Sequence, residues 1–172
     1  MQLQSFAAHH GSVQCATFGT KGSAGSRLLA TGGGDQLVNV WSVGTQAAVC
    51  SLQGCSSGVS SLVFGPGEER ILAGAEKGTL KLFDVDGAKA VRSITGHRGA
   101  VTAVDIHMSR SHFMASGSSD TNCKLWDSRA RDCVAKYVGH SGALNTLAFS
   151  PDGQWLASGS ADGMVKVRLS AV

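Results

Sequence analysis

Short runs of alternating apolar and polar positions occupy most of the chain, as at Val13 and Cys15, at Val59, Ser61 and Val63, and at Val101, Ala103 and Val104. A period of two puts every second side chain on one face, which is the pattern of a half-buried β-strand. No segment carries a convincing 3.6-residue period. In the clearest stretch the pattern predicts strands at roughly 101–106, 113–117, 122–126 and 133–137, with turn residues between them. The 23 glycines against 2 prolines suit many tight turns between short antiparallel strands. The expected fold class is all-β.

The pattern recurs. TGHRGAVTAVDIH (95–107) aligns with VGHSGALNTLAFS (138–150), and Gly54-Cys55 and Ala8-His9 take the same place earlier in the chain. A second landmark keeps the same step: Asp35, Lys77, Asp120 and Asp162 align, and Trp41, Phe83, Trp126 and Arg168 follow in turn. Two landmarks sharing one period of about 40–45 residues, Gly-His early and Trp-Asp late, are the mark of WD repeats. The chain therefore resembles a WD-repeat β-propeller of four repeats, one four-stranded sheet per repeat around a central axis. The blades are expected at about 9–52, 54–95, 96–138 and, incomplete, 139–172, with Leu3–Phe6 in an outer closing strand at 2–6. WD rings usually have more blades, and the chain reads Arg168-Leu169-Ser170-Ala171-Val172 where DGMVKV promises a Trp-Asp. The expectation is a partial propeller of a larger ring, with the natural continuation replaced after Val167.

His, Ser and Asp within one repeat invite a hydrolase reading. An enzyme needs one such set beside an oxyanion hole and a pocket, whereas here the set repeats. The expected role is structural, with hydrogen-bonded tetrads of His9, Thr31, Asp35 and Trp41, of His97, Ser116, Asp120 and Trp126, and of His140, Ser158 and Asp162. The second repeat has Cys55, Ala73, Lys77 and Phe83 at these positions. Losing all four members together fits a network that costs more half-satisfied than absent. Catalytic residues, cofactor and metal are expected to be none. Gly32-Gly33-Gly34 lacks the Lys and the following helix of a phosphate loop and is read as a tight turn. His107 and His112, like His9-His10, lack partners for a metal site and are read as surface or turn residues. Ser150-Pro151-Asp152-Gly153 is read as a turn.

Bulk properties narrow the class without naming a function. Hydrophobic residues make up 42% and charged residues 16%, which argues against disorder, and a net charge of +3 is too weak to argue for nucleic acid. Five cysteines with no C-x-x-C are read as reduced, buried thiols of an intracellular protein. The N-terminus has no signal-peptide pattern, and no apolar run approaches a membrane span. Among the charges, Arg98 is expected at one rim, and Arg110, Arg129 and Arg131 on the opposite face, as candidate contacts for an acidic protein partner.

RLLATGGGDQLVNVWSV, the degenerate ILAGAEKGTLKLFDV, and SGSSDTNCKLWDSRARDCVAKYVGH followed by FSPDGQWLASGSADG resemble the opening blades of the katanin regulatory, non-catalytic subunit. Asp120-Thr121-Asn122 with Lys124-Leu125-Trp126-Asp127 carries the closest likeness. Cys55 and Lys77 depart from that family's pattern, as does everything after Val167. The resemblance implies a protein-interaction scaffold that targets and regulates microtubule severing. Its implied partners are microtubules or tubulin and a katanin catalytic ATPase subunit, the latter through a helical region absent here. It places the protein in the cytoplasm, on the cytoskeleton at microtubules, the spindle pole or centrosome, or the cilium. The alternative is a WD adaptor or substrate receptor of another complex, such as a ubiquitin ligase. Neither nucleic acid nor membrane is an expected partner.

Overall fold

The computed structural model describes residues 5–19, 28–44 and 47–170. Among them lie fifteen strands and no helix, in four antiparallel sheets. The first sheet comprises β1 (Val13–Phe18), β2 (Leu28–Gly33), β3 (Val38–Ser42) and β4 (Ala48–Leu52). The second holds β5 (Val59–Phe64), β6 (Arg70–Ala75), β7 (Thr79–Asp84) and β8 (Lys89–Thr95). The third holds β9 (Val101–Ile106), β10 (Phe113–Ser118), β11 (Cys123–Asp127) and β12 (Cys133–Tyr137). The fourth has β13 (Leu144–Phe149), β14 (Trp155–Ser160) and β15 (Val165–Leu169). Strands pair in chain order within each sheet, so each repeat folds as a meander.

The first strands β1, β5, β9 and β13 contact one another in succession, which sets the sheets side by side as blades. No strand pairing joins one blade to another or closes a ring among the described residues. The adhesive is apolar and lies between blades. Val38, Val40 and Leu52 of blade one pack with Val59, Ile71 and Phe83 of blade two. Leu72, Leu80 and Leu82, on the opposite face of blade two, meet Val101, Val104 and Met114 of blade three. Ala115, Cys123 and Leu125 then meet Leu144, Leu147 and Leu156. Both faces of blades two and three are thus covered, and each fully buried Leu or Phe contributes roughly 1.5–3 kcal/mol.

Polar contacts pin the same seams. The Ser60 hydroxyl donates to the Val101 carbonyl and the Thr102 hydroxyl to the Leu144 carbonyl, each at 2.5 Å. In blade one the Cys15 thiol does the same to the Val59 carbonyl at 3.3 Å. A carbonyl at each bulged strand start is satisfied by the neighbouring blade, where a buried orphan would be costly.

Two expectations need amendment. Within the predicted closing strand Leu3–Phe6, Leu3 and Gln4 lie outside the described residues, as do Met1 and Gln2; Ser5 and Phe6 are not in a strand. Phe6 instead packs against Trp41, the rings tilted by 44° with centroids 4.5 Å apart. The strand predicted at 122–126 begins at Cys123, because Asn122 belongs to the turn and donates its side-chain amide to the Asp120 carbonyl. Ala171 and Val172 also lie outside the described residues.

Candidate functional site

Blades one and three carry the same four-member hydrogen-bonded chain, and blade four carries its His, Ser and Asp part. In blade three Trp126 Nε1 lies 2.8 Å from Ser116 Oγ, which lies 2.7 Å from His97 Nε2; His97 Nδ1 lies 2.9 Å from Asp120 Oδ2. In blade one the corresponding steps are Trp41 to Thr31 at 2.9 Å, Thr31 to His9 at 2.9 Å, and His9 to Asp35 at 2.8 Å. An indole nitrogen can only donate and an ionised carboxylate can only accept. The chain therefore runs one way: indole to hydroxyl, hydroxyl to Nε2, Nδ1–H to carboxylate. The carboxylate also joins two loops. Asp120 accepts the backbone N–H of Arg98 at 2.8 Å and of Asn122 at 3.0 Å. Asp35 does so from His10 and Leu37, and Asp162 from Ser141 and Met164.

These contacts set the electrostatics. Burial works to raise the Asp120 carboxyl, but the bonds from Arg98, His97 and Asn122 outweigh it and hold it down at about 2. The Asp35 and Asp162 carboxyls are lowered by the same balance. Burial lowers His97, against the pull of Asp120, so its ring is neutral at neutral pH. The Ser116 hydroxyl sits in a fully buried side chain. It cannot reach a substrate, and the constellation reads as a clamp between blade loops rather than a nucleophile and its base.

Blades two and four depart in different ways. In blade two Cys55, Ala73 and Phe83 are buried, so the polar chain is replaced by apolar packing. The loop tie survives, because Glu76 N–H donates to the Gly58 carbonyl as Ser119 N–H does to the Ala100 carbonyl. Ser57 adds a hydroxyl that accepts Lys77 N–H at 3.1 Å. In blade four His140 bonds Asp162 at 2.9 Å and Ser158 at 3.0 Å. Arg168 pairs opposite Leu156 as Trp126 pairs opposite Met114. Its guanidinium turns outward to the Val138 carbonyl and lies over the Tyr137 ring.

Several single-residue expectations are corrected. Gly32 and Gly33 lie in β2 rather than in a turn. A Cβ on Gly32 would stand 2.6 Å from Val59 Cγ1, and one on Gly33 would stand 2.4 Å from His9 Nδ1. These glycines thus make room for the next blade and for the histidine; the left-handed turn residue is Gln36, with φ of 70°. His107 is buried, not at the surface, and its Nδ1 accepts the N–H of Ser109 and Arg110 in the turn after β9. The His112 ring lies tilted against that of Phe113. Among the described residues no three His, Cys, Asp or Glu side chains gather as a metal site. Cys55 and Cys123 are buried, whereas Cys15, Cys50 and Cys133 are only partly so. Burial pushes the Cys15 and Cys55 thiols up to about 11 and Cys123 up to about 12, which keeps them protonated.

The loop ends are accessible, as are the outer strands β4, β8 and β12 and one face of β15. Arg98 is exposed on the end that carries the histidine loops and the Asp turns. Arg110, Arg129 and Arg131 gather at the other end, where Ser128 N–H bonds the His112 carbonyl and brings the two loops of blade three together. The four arginines are therefore divided between two rims. Arg129 is committed in part to Asp127, through Nε at 3.0 Å and Nη2 at 2.8 Å. The Arg129 side chain, against a small burial effect, holds the Asp127 carboxyl at about 2. On the histidine rim, Arg98, Lys124 and Lys136 line a cavity of about 360 Å³ with Gly96, Asp120 and Asn122. Neither lysine stands among the sequence-predicted contact residues, and Lys124 is named there only as part of a motif. Lys124 was legible, because Lys81, Lys124 and Lys166 repeat at one position; Lys136 joins them only through the pairing of β11 with β12.

Meander sheets stacked through their faces, with loops tied at one rim by repeated His–Asp contacts, define a repeat scaffold that presents its loop ends. The WD domain, G-beta repeat family (WD40) matches residues 1–42, 46–84, 88–127 and 131–168, and the chain belongs to that family of protein-interaction scaffolds. Protein tipD of Dictyostelium discoideum is 31% identical over 159 residues, covering 92% of this chain and 25% of that protein. Pre-mRNA-splicing factor cwf17 of Schizosaccharomyces pombe is 29% identical over 166 residues, covering 96% of this chain and 47% of that protein. A guanine nucleotide-binding protein subunit beta of Oryza sativa subsp. japonica is 31% identical over 153 residues, covering 81% and 40%. The chain spans between a quarter and about half the length of these relatives. Their names point to different assemblies, and none of the three is a katanin subunit.

Proposed function

We propose that this chain is the propeller portion of a katanin-type regulatory subunit, a non-catalytic scaffold that directs a severing ATPase to microtubules in the cytoplasm. The scaffold part rests on one observation: the His, Ser or Thr, and Asp groups that look like a catalytic set are bonded to one another inside the blades, with the Ser116 hydroxyl fully buried. The katanin part rests on the local likeness from Asp120 to Asp127. Arg98, Arg110 and Arg131, with Arg129 partly held by Asp127, are the side chains offered to acidic tubulin tails. Co-pelleting of the propeller with microtubules tests this. Pelleting is expected to weaken with salt and to vanish when the acidic tails are removed; failure to pellet at any salt concentration overturns it.

The second reading is an adaptor in another assembly, such as a ubiquitin ligase, and the varied names of the relatives favour it. Recovery of a stable non-microtubule complex from cell extract, together with failed pelleting, would decide for it.

A further inference from the structure

The cavity on the histidine rim of blade three carries a charge arrangement that the fold does not need. Lys124 and Lys136 stand directly opposite each other in the β11–β12 pair. Like charges in that position repel and destabilise the sheet. The equivalent cross-strand pairs are Asn39–Ser51 in blade one and Lys81–Ser93 in blade two, so the doubled cation is peculiar to blade three. Arg98 adds a third cation to the same cavity. Asp120 is the acid in its lining, and both its oxygens are engaged, by His97, the Arg98 N–H and Asn122. Lys124 donates to the Gly96 carbonyl and lies 5.5 Å from the Trp126 ring centroid, which fixes its amine at the cavity wall. Two lysines and an arginine thus converge on a rim cavity with one internally committed carboxylate.

We propose that this cavity binds a phosphorylated serine or threonine in an extended segment of a partner protein. A phosphate dianion matches the clustered cations better than a single carboxylate, and Arg98 can meet it through two parallel N–H bonds. Lys81 lies beside Gly54 in blade two and Lys166 beside Gly139 in blade four, at positions equivalent to Lys124. Acidic residues flanking the phosphate therefore meet a further cation in each direction. Nucleic acid is the weaker match, because the Trp126 ring against Gly96 is buried and offers no face on which a base can stack.

The proposal rests on the scaffold reading only in taking a protein as the source of the phosphate. The assay contains no microtubules, so either reading can fail alone. The probe is a fluorescein-labelled peptide with phosphoserine flanked by Asp on both sides, compared with its Ser and Glu counterparts. Fluorescence anisotropy with the full chain is expected to show the phosphopeptide binding at least tenfold more tightly than either. Lys136→Ala should remove most of that preference, as should Arg98→Ala, while Arg131→Ala on the opposite rim should leave it intact. Lys136→Arg should retain it, which separates a lost charge from a lost fold; circular dichroism of each variant checks the latter. Equal affinity for the Ser peptide overturns the proposal, as does an unchanged preference in Lys136→Ala. Tighter binding of single-stranded RNA, or of vesicles containing a phosphoinositide, reassigns the cavity and overturns it as well.

Discussion

At the residue scale the one-way hydrogen-bond chain makes its members unequal. Ser116 both accepts from Trp126 and donates to His97, so Ser116→Ala leaves an indole N–H and an imidazole nitrogen without partners in a buried setting. A loss of about 1–3 kcal/mol is expected, read as a lower urea midpoint with an unchanged slope. A hydrolase reading predicts an intact fold and a lost activity, and an unshifted midpoint would revive it. Acidity provides a second test. Asp120 is held at about 2, below the ordinary value near 3.9. A depressed carboxylate contributes its full stabilisation above the unfolded value and loses it as pH falls through the folded one. Stability from this group is therefore complete above about pH 4 and declines toward pH 2. His97 adds an earlier slope: its lowered value means that the unfolded chain takes up a proton first, so stability begins to fall below about pH 6.5. Denaturant midpoints measured from pH 7 to pH 2 should show both declines, and Asp120→Asn should flatten the lower one.

At the element scale the glycine one residue after each network hydroxyl, or after its substitute Ala73, sets how closely blades approach. A Cβ on Gly74 would lie 2.5 Å from Val101 Cγ1 and 2.4 Å from Ser61 Oγ. On Gly117 it would lie 3.1 Å from Leu144, and on Gly159 it would meet only Thr146 Cγ2, at 2.8 Å. Gly74→Ala must push blade three away, with an expected cost of about 1–3 kcal/mol. Gly159→Ala asks only that one threonine methyl on the same sheet rotate, and should cost less. Thermal melts of the two variants compare them directly, and equal shifts would remove the inter-blade explanation. These glycines show what the sequence could convey. Their spacing is visible in it, as are the tetrad positions from His9 to Asp162, because a repeat writes each contact several times. The reason for the spacing is not visible, since it lies in the neighbouring sheet. The misreading of Gly32 and Gly33 has the same source: three glycines in a row look like a turn until Val59 and His9 are placed against them. The turn position of His107 is legible beside Met108–Arg110, but its burial is not, because no repeat marks it and its contact with Phe149 depends on the next blade. The Lys124–Lys136 pair needed the strand register.

For the whole molecule, stability follows from which blades have neighbours. A stack of repeats holds together through its interfaces, so a blade covered on both sides opens at a higher cost than one covered on a single side. Blades two and three each contribute to two apolar clusters, whereas the described strands of blade four contribute to one. Val165, Val167 and Leu169 of β15 point to one face of the last sheet and are exposed by 59–70%. The outer rows of β15 therefore lack both a pairing strand and a packed face among the described residues. Amide exchange should follow this order. The amides of β6, β7, β10 and β11 are expected to exchange slowest, through global opening, and those of β14 and β15 faster by at least tenfold, through local separation of the fourth sheet. Mass spectrometry of peptides after deuterium labelling distinguishes the two. Uniform protection across all four sheets would mean that the blades unfold as one unit, and that the contacts between Leu144, Leu147 and Leu125 hold the fourth sheet as firmly as two interfaces hold the second.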